Sequence, residues 1–228
     1  VNFLLLSIIN LRKRLSFKNL AVNGLALGLV LLIRPANVIA ISLYLLIFLD
    51  KNFEFLKIKD VLNITTKRLK QVTTICIFTL LAIFPQIFYW YSITGKIFIY
   101  SYLNEGFNFT SPNFIGLILK DDRGLILQPL IIIGFIGILT LKKKYPRIAL
   151  IISLYLLLNL YLIASWWMPD YGIGFGHRAF TDYLGIISIP IAAIIQAKRN
   201  PNQKKLLYLG IGILILINTI LAIYYVSN

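Results

Sequence analysis

The sequence predicts an all-α membrane protein, built as a multi-span helical bundle. Its 228 residues are 59% hydrophobic and only 14% charged, whereas a soluble domain carries about 25% charged residues. The mean hydropathy is +0.83, which is too high for a disordered chain. Long apolar stretches of the kind that cross membranes are found at 20–49, 72–93, 125–141, 148–168, 178–197 and 206–226.

The first apolar stretch, residues 20–49, is too long for one span and contains Arg34-Pro35 near its middle. Proline removes a helix hydrogen-bond donor and clashes with the preceding turn. We therefore expect a short helical hairpin with arms 20–33 and 36–49, followed by about five full spans. Each arm would rise about 21 Å as an α-helix, against a hydrocarbon core of about 30 Å.

The first arm contains two glycines four residues apart, Gly24 and Gly28. Small residues at this spacing let helix backbones approach each other closely in membranes. We interpret them as a packing face within the hairpin.

The distribution of Lys and Arg predicts how the helices are oriented, because short cytoplasmic loops are enriched in both residues. With the hairpin, 18 of the 23 basic residues and three acids lie on one side, and five of each sign lie on the other. A single crossing by 20–49 would instead separate the basic segments 10–18 and 50–70. We expect a multi-pass protein of the bacterial cytoplasmic (inner) membrane, with cytoplasmic basic loops and its C-terminus outside.

The net charge of +15 is therefore interpreted as a cytoplasmic anchor that contacts anionic membrane lipids. No nucleic-acid partner is expected, because no basic stripe with interleaved aromatic residues lies in a soluble segment. A single cysteine, Cys76, excludes a disulfide within the chain and a zinc cluster of the CxxC kind.

The start of the chain indicates an upstream sequence. The first residue is Val1 and the single methionine is Met168. The opening apolar run 1–9 would rise only about 13 Å as a helix. We interpret residues 1–228 as a single transmembrane domain and as the C-terminal fragment of a longer chain.

Three polar elements share the predicted outer face: the hairpin apex at Arg34, the loop 94–128 and the segment 165–182. An ionisable group at membrane depth costs about 2.5–3.5 kcal/mol on insertion. Arg34 is therefore a candidate for binding an anionic group, and the alternative is an arginine that extends its charge to the interface.

The segment 165–182 has three glycines within 172–176, followed at once by His177 and Arg178 at the start of an apolar span. Helix N-termini favour anions, and arginine binds phosphate through paired hydrogen bonds. The alternative is an interfacial turn with an aromatic belt. Since His177 is the only histidine, a metal site built from several histidines is excluded. The substrate-binding candidates here are Asp170, His177, Arg178 and Asp182.

The outer loop contributes the catalytic candidates Glu105, Asp121 and Asp122, and a substrate-binding candidate, Tyr102. Carboxylates beside aromatic faces suit a sugar, but the same mixture is ordinary at a membrane interface. The pair at 121–122 could equally form a solvated turn with the arginine that follows it.

Several segments together are similar to one enzyme family. The chain resembles the C-terminal half of bacterial membrane glycosyltransferases of the GT-C fold, a group that includes protein mannosyltransferase-like and aminoarabinose-transferase-like enzymes. The resemblance covers most of 20–196, and the segments on which it rests are 24–35, 85–95, 102–109, 122–125, 165–167 and 175–180.

The resemblance implies transfer of a hexosyl or pentosyl group from a polyprenyl-phosphate donor to a lipid, glycan or protein acceptor on the outer face. It assigns Arg34 and Arg178 to the carrier phosphate with His177 beside them, and the acids at 105, 121 and 122 to the sugar or acceptor. The family's catalytic acidic loop lies near its N-terminus and has no counterpart here. No cofactor is evident, and a divalent metal is expected only through that missing part.

Two other functions remain open from the sequence. One is a membrane transporter or lipid flippase, which would need polar groups deep in several spans. The other is a non-catalytic subunit of a cell-envelope assembly. A transferase is favoured because the polar groups gather at one face.

Overall fold

The computed structural model describes residues 1–49, 56–57, 66–100, 105–119, 124–125, 128–168, 178–197 and 200–227. Its regular elements in these ranges are all helices. They belong to two compact units, Val1–Glu105 and Gly106–Asn228. The single transmembrane domain expected over residues 1–228 stays a prediction.

Unit 1 consists of three α-helices and one long 3-10 helix: α1 (Asn2–Lys13), α2 (Phe17–Ile33), η1 (Pro35–Phe48) and α3 (Thr66–Thr94). The hydroxyl of Ser16 starts α2 by accepting a hydrogen bond from the Asn19 amide, at 3.3 Å. Such a cap satisfies one of the free N–H groups at a helix start.

The predicted hairpin arms correspond to α2 and η1, which join at Arg34 in an extended conformation. The side-chain amide of Asn37 donates to the Val30 carbonyl at 3.3 Å, and the Tyr44 hydroxyl donates to the side-chain oxygen of Asn23 at 2.5 Å. In each pair the two residues lie about equally far from the junction, one before it and one after it, so the arms run antiparallel. The second arm differs from the expected α-helix: at about 2.0 Å per residue, its 14 residues extend about 28 Å.

A buried hydrogen-bond chain fastens the hairpin to α1. Asn23 is fully buried, and its amide donates to the Ser7 hydroxyl at 2.8 Å. Ser7 in turn donates to the Leu4 carbonyl at 2.7 Å. Because an unpaired buried polar group costs about 1–3 kcal/mol, this chain fixes how α1, α2 and η1 pack.

The glycines of α2 face α3. A methyl group on Gly24 would lie 2.5 Å from the Ile75 carbonyl oxygen, and one on Gly28 would lie 2.6 Å from Cβ of Ala82. The Thr79 hydroxyl also donates to the Gly24 carbonyl at 3.0 Å. The packing face was therefore predicted correctly, but its partner within the hairpin was wrong.

Helix geometry explains the difference. Gly24 follows Asn23 by one residue, so the two residues point in directions about 100° apart around the axis of α2. Since Asn23 faces α1 and η1, the glycines face a third element.

The described residues of unit 2 form six helices: α4 (Phe114–Leu119), α5 (Pro129–Lys144), α6 (Pro146–Ala164), η2 (Arg178–Tyr183), α7 (Leu184–Gln196) and α8 (Pro201–Ser227). Proline stands in the first turn of α5 and α6, where its missing N–H group costs no helix bond. The short α4 lies within the predicted outer loop.

Helices α5 and α7 pack backbone against backbone and run parallel. A methyl group on Gly134 would collide with Ile187, and one on Gly137 would lie 2.5 Å from the Pro190 carbonyl oxygen. Later residues of α5 thus face later residues of α7. The lysines at 142–144 therefore lie at the same end of unit 2 as the start of α8, which follows α7 directly.

Within the described residues, three helices are long and apolar enough to cross a membrane: Arg68–Thr94, Pro146–Ala164 and Pro201–Tyr224. They match the predicted spans 72–93, 148–168 and 206–226. The expected count of about five full spans is not confirmed. The predicted span 125–141 overlaps the 16-residue α5, and 178–197 is divided between η2 and a 13-residue α7. Each is shorter than the roughly 20 residues that a span needs.

We expect Gly24→Ala and Gly28→Ala to destabilise unit 1, each by about 1–3 kcal/mol, because the added methyl group forces α2 away from α3. Thermal unfolding in detergent measures the effect. Gly212→Ala is the matched control, because a methyl group there meets no atom within 4 Å and alanine favours helix. Equal unfolding temperatures for all three variants would contradict close packing of α2 and α3.

Candidate functional site

A loop is fixed to the C-terminal end of α6, opposite the lysine end of unit 2. Phe107 and Trp166 form an antiparallel bridge. The backbone amide of Asn108 donates to the Ser165 carbonyl at 2.6 Å, and the backbone amide of Trp167 donates to the Gly106 carbonyl at 3.0 Å. These bonds join two segments that the sequence placed in separate outer elements.

The same loop satisfies free acceptors where α6 ends. The Asn113 amide donates to the Ala164 carbonyl at 2.7 Å. The Tyr161 hydroxyl donates to the Phe109 carbonyl, also at 2.7 Å. The last carbonyls of a helix have no partner within it, so the loop serves as the cap of α6.

Four aromatic rings form a connected cluster at this place, which we call the aromatic platform: Phe107, Phe109, Tyr161 and Trp166. The ring centroid of Phe107 lies 4.7 Å from that of Trp166 and 5.3 Å from that of Phe109. Phe109 stacks on Tyr161 at 6.1 Å and is 50% exposed. The platform is therefore assembled by ring contacts within the chain and leaves aromatic surface exposed.

Polar groups border the platform. The side-chain amide of Asn108 donates to the Ser111 hydroxyl at 2.6 Å, and the Thr110 hydroxyl donates to the side-chain oxygen of Asn108 at 2.9 Å. All three side chains are exposed. Apolar rings bordered by a few oriented polar groups are typical of small-molecule sites.

The second part of the site is η2, which is held by its buried face. Phe180 and Tyr183 are buried and their ring centroids are 5.9 Å apart. Tyr183 also contacts Tyr155 of α6, with centroids 5.7 Å apart. This packing fixes the backbone of Arg178 and the half-buried Asp182 on one short element.

Tyr183, the residue after Asp182, contacts Tyr155, which is the tenth of the 19 residues of α6. The backbone at Asp182 therefore lies beside the middle of a candidate span. Asn159, one turn further along α6, is 1% exposed and donates its amide to the Tyr155 carbonyl at 2.7 Å. An acid at this depth is expensive and indicates a functional site.

The other predicted residues are distributed unevenly. Tyr102, Asp121, Asp122, Asp170 and His177 lie outside the described residues. Glu105 and Arg34 belong to unit 1. Glu105 accepts the Tyr100 hydroxyl at its carbonyl, at 2.6 Å, and Arg34 is half-buried at the hairpin junction. Among the predicted residues that the structure describes, Asp182 and the backbone of Arg178 share one element, η2.

Sequence reasoning missed Tyr155, Tyr161 and Asn159. All three place a polar atom inside the apolar stretch 148–168. That interruption is the signal by which they could have been found, because polar atoms at membrane depth need a partner.

No protein-family model, curated protein or solved structure matches the chain. Within the described residues, no three His, Cys, Asp or Glu side chains are grouped closely enough to bind a metal ion.

We expect Tyr161→Phe to loosen the loop 106–113, because the hydroxyl bond to the Phe109 carbonyl contributes about 0.5–1.5 kcal/mol. Hydrogen exchange at the amides of Asn108 and Asn113 should accelerate roughly 2- to 10-fold. Tyr208→Phe on α8 is the control, since Tyr208 is 54% exposed and far along the chain from the loop. Unchanged exchange in Tyr161→Phe would show that this bond does not hold the loop.

Proposed function

We propose that this chain is an integral membrane glycosyltransferase that moves a sugar from a polyprenyl-phosphate donor to an acceptor on the outer face of the membrane. The observation that supports this most is η2. Its buried face holds Arg178 and Asp182 at the entrance of α7. An arginine and an acid on one short element with a fixed backbone suit a sugar phosphate, because arginine can contact the phosphate and the acid can contact the sugar.

The proposed reaction is an inverting displacement. The acceptor oxygen attacks the anomeric carbon, and the bond from that carbon to the phosphate oxygen breaks. The phosphate leaves with the electron pair and is stabilised by arginine. A carboxylate takes the acceptor proton, and Glu105, Asp121 and Asp122 are the candidates for that group.

The roles of the remaining residues follow from the resemblance to GT-C enzymes. Arg34 and His177 would contact the carrier phosphate, while Tyr102 and Asp170 would contact the sugar. The aromatic platform supports this arrangement, since exposed aromatic surface beside side-chain amide and hydroxyl groups suits a sugar ring. It adds Phe109 and Asn108 to the candidates.

The proposed location is the bacterial cytoplasmic membrane, with the aromatic platform outside. Two features support it. The lysines at 142–144 and at 204–205 belong to one end of unit 2, and the platform lies at the other. Positively charged loops favour the cytoplasmic side, and lipid, glycan or protein acceptors of the cell envelope are met outside.

A transporter or lipid flippase is the second candidate, and one observation favours it. Asp182 belongs to η2, which contacts the middle of α6 through Tyr183, as expected for a group that binds a cargo or a proton within the membrane. The three long apolar helices argue against it, because 71–94, 148–164 and 206–224 contain no Asp, Glu, Lys or Arg. A non-catalytic subunit of an envelope assembly would need neither feature.

We expect Arg178→Ala to weaken photo-crosslinking of a diazirine-labelled polyprenyl phosphate to the purified chain by roughly 10-fold or more, the loss expected for a hydrogen bond to a charged group. Binding is measured rather than turnover, so the test does not depend on the general base. Arg147→Ala is the control, because Arg147 lies at the other end of α6. Equal crosslinking in both variants would contradict the phosphate role.

Asp182→Asn separates the two functions. If the chain is a transferase, Asp182→Asn should weaken sugar transfer, because the carboxylate contacts the sugar. Crosslinking of polyprenyl phosphate should be retained, because a carboxylate does not attract the donor phosphate. A proton-coupled transporter predicts loss of pH-dependent lipid movement across a vesicle membrane. That second result without any effect on transfer would favour the transporter.

A further inference from the structure

A long apolar groove runs along unit 2 between α5, α7 and α8. Its volume is about 760 Å³, within the range of small-molecule sites. Most of its lining is aliphatic, and the lining residues are Ile133, Ile136, Thr140, Lys143, Ile194, Ala197, Gln203, Leu206, Leu207, Gly210, Ile211 and Leu214.

The groove has a polar end and an apolar end. Since α5 and α7 run parallel, Lys143 and Ala197 lie at the same end, and Gln203 follows in the first turn of α8. The other end is formed by Ile133 and Leu214. From Ile133 to Lys143 the helix rises about 15 Å, which is half of a hydrocarbon core of about 30 Å. The groove is therefore as long as one leaflet is deep.

The polar end has a strong excess of positive charge. Five exposed lysines belong to it, at 142–144 and 204–205. The sequence has no acid between Asp122 and Asp170, and none after Asp182. One of the five, Lys144, lies over the ring of Tyr145 at 5.2 Å, whereas Lys143 lines the groove.

We infer that this groove binds an anionic glycerophospholipid, with an acyl chain along α5 and α8 and the phosphate at Lys143. Charge complementarity selects an anionic head group, because each lysine near a membrane surface favours an anionic lipid. The length selects a lipid that spans one leaflet. A polyprenyl chain is longer than the groove, and this end is opposite the aromatic platform, so the lipid is distinct from the proposed donor.

Two glycines of α8 give a matched test of the chain-binding part. A Cβ atom added at Gly210 or at Gly212 would meet no atom within 4 Å, but of the two only Gly210 lines the groove. Gly210→Leu therefore adds a side chain inside the groove, and Gly212→Leu adds the same side chain elsewhere on α8. Retained lipid is measured by native mass spectrometry of the full chain titrated with phosphatidylglycerol.

We expect Gly210→Leu to weaken phosphatidylglycerol binding roughly 10-fold, the equivalent of nearly two buried methylene groups. Gly212→Leu should change it less than about twofold, within the ordinary range of a surface substitution. Equal losses in both variants would overturn the groove as the binding place.

The head-group part is tested separately, with variants on the exposed surface that leave packing intact. Lys143→Gln should weaken phosphatidylglycerol binding about fivefold, as expected for one lysine, and leave phosphatidylcholine unchanged. Lys142→Gln is the control on the same helical turn, outside the groove lining. The inference is overturned if the unaltered chain binds phosphatidylcholine as well as phosphatidylglycerol, if polyprenyl phosphate displaces phosphatidylglycerol, or if Lys142→Gln weakens binding as much as Lys143→Gln.

Discussion

The parallel contact between α5 and α7 is the constraint on which the arrangement of unit 2 depends. Gly134 and Gly137 let the two backbones meet without an intervening side chain. In hydrocarbon, where apolar side chains gain little from leaving the lipid, such contacts supply much of the packing energy. Their direction decides which helix ends meet: the lysines at 142–144 join the start of α8, and the end of α6 is left for the aromatic platform.

Unit 1 uses a similar device with one addition. Gly24 and Gly28 bring α2 against α3, and the buried Asn23 fixes how α2 is rotated relative to α1 and η1. The polar chain through Ser7 and Tyr44 contributes specificity more than net energy, because each bond mainly avoids the cost of an unpaired buried group. The hairpin junction at Arg34 is thereby held in place.

Much of the helical architecture could be predicted from apolar runs and basic loops. The long helices α3, α6 and α8 match predicted spans because hydropathy over about 20 residues determines them. The lengths of α5 and α7 could not be predicted, since hydropathy does not show that α5 begins at Pro129 or that η2 occupies the start of the stretch 178–197. The packing of Gly24 against α3 was missed because it depends on how α2 is rotated about its axis, and that rotation is fixed by the buried Asn23.

The site was predicted less completely than the fold. Charged residues beside glycines led to η2 and Asp182, because ionisable groups in an apolar sequence are conspicuous. The pairing of Asn108 with Ser165 had no sequence signal, since backbone hydrogen bonds between distant segments do not depend on side-chain type. Tyr155 was missed because a tyrosine in an apolar run resembles ordinary packing.

The central claim of the proposal is that the lysines at 142–144 lie on one side of the membrane and the aromatic platform of the same unit lies on the other. Cysteine accessibility tests it most directly, in a Cys76→Ser background, with single cysteines at Asn108 and Lys143, both of which are exposed. In right-side-out vesicles an impermeant maleimide should label Asn108→Cys alone, and in inverted vesicles it should label Lys143→Cys alone. Labelling of both cysteines from the same side would contradict the account.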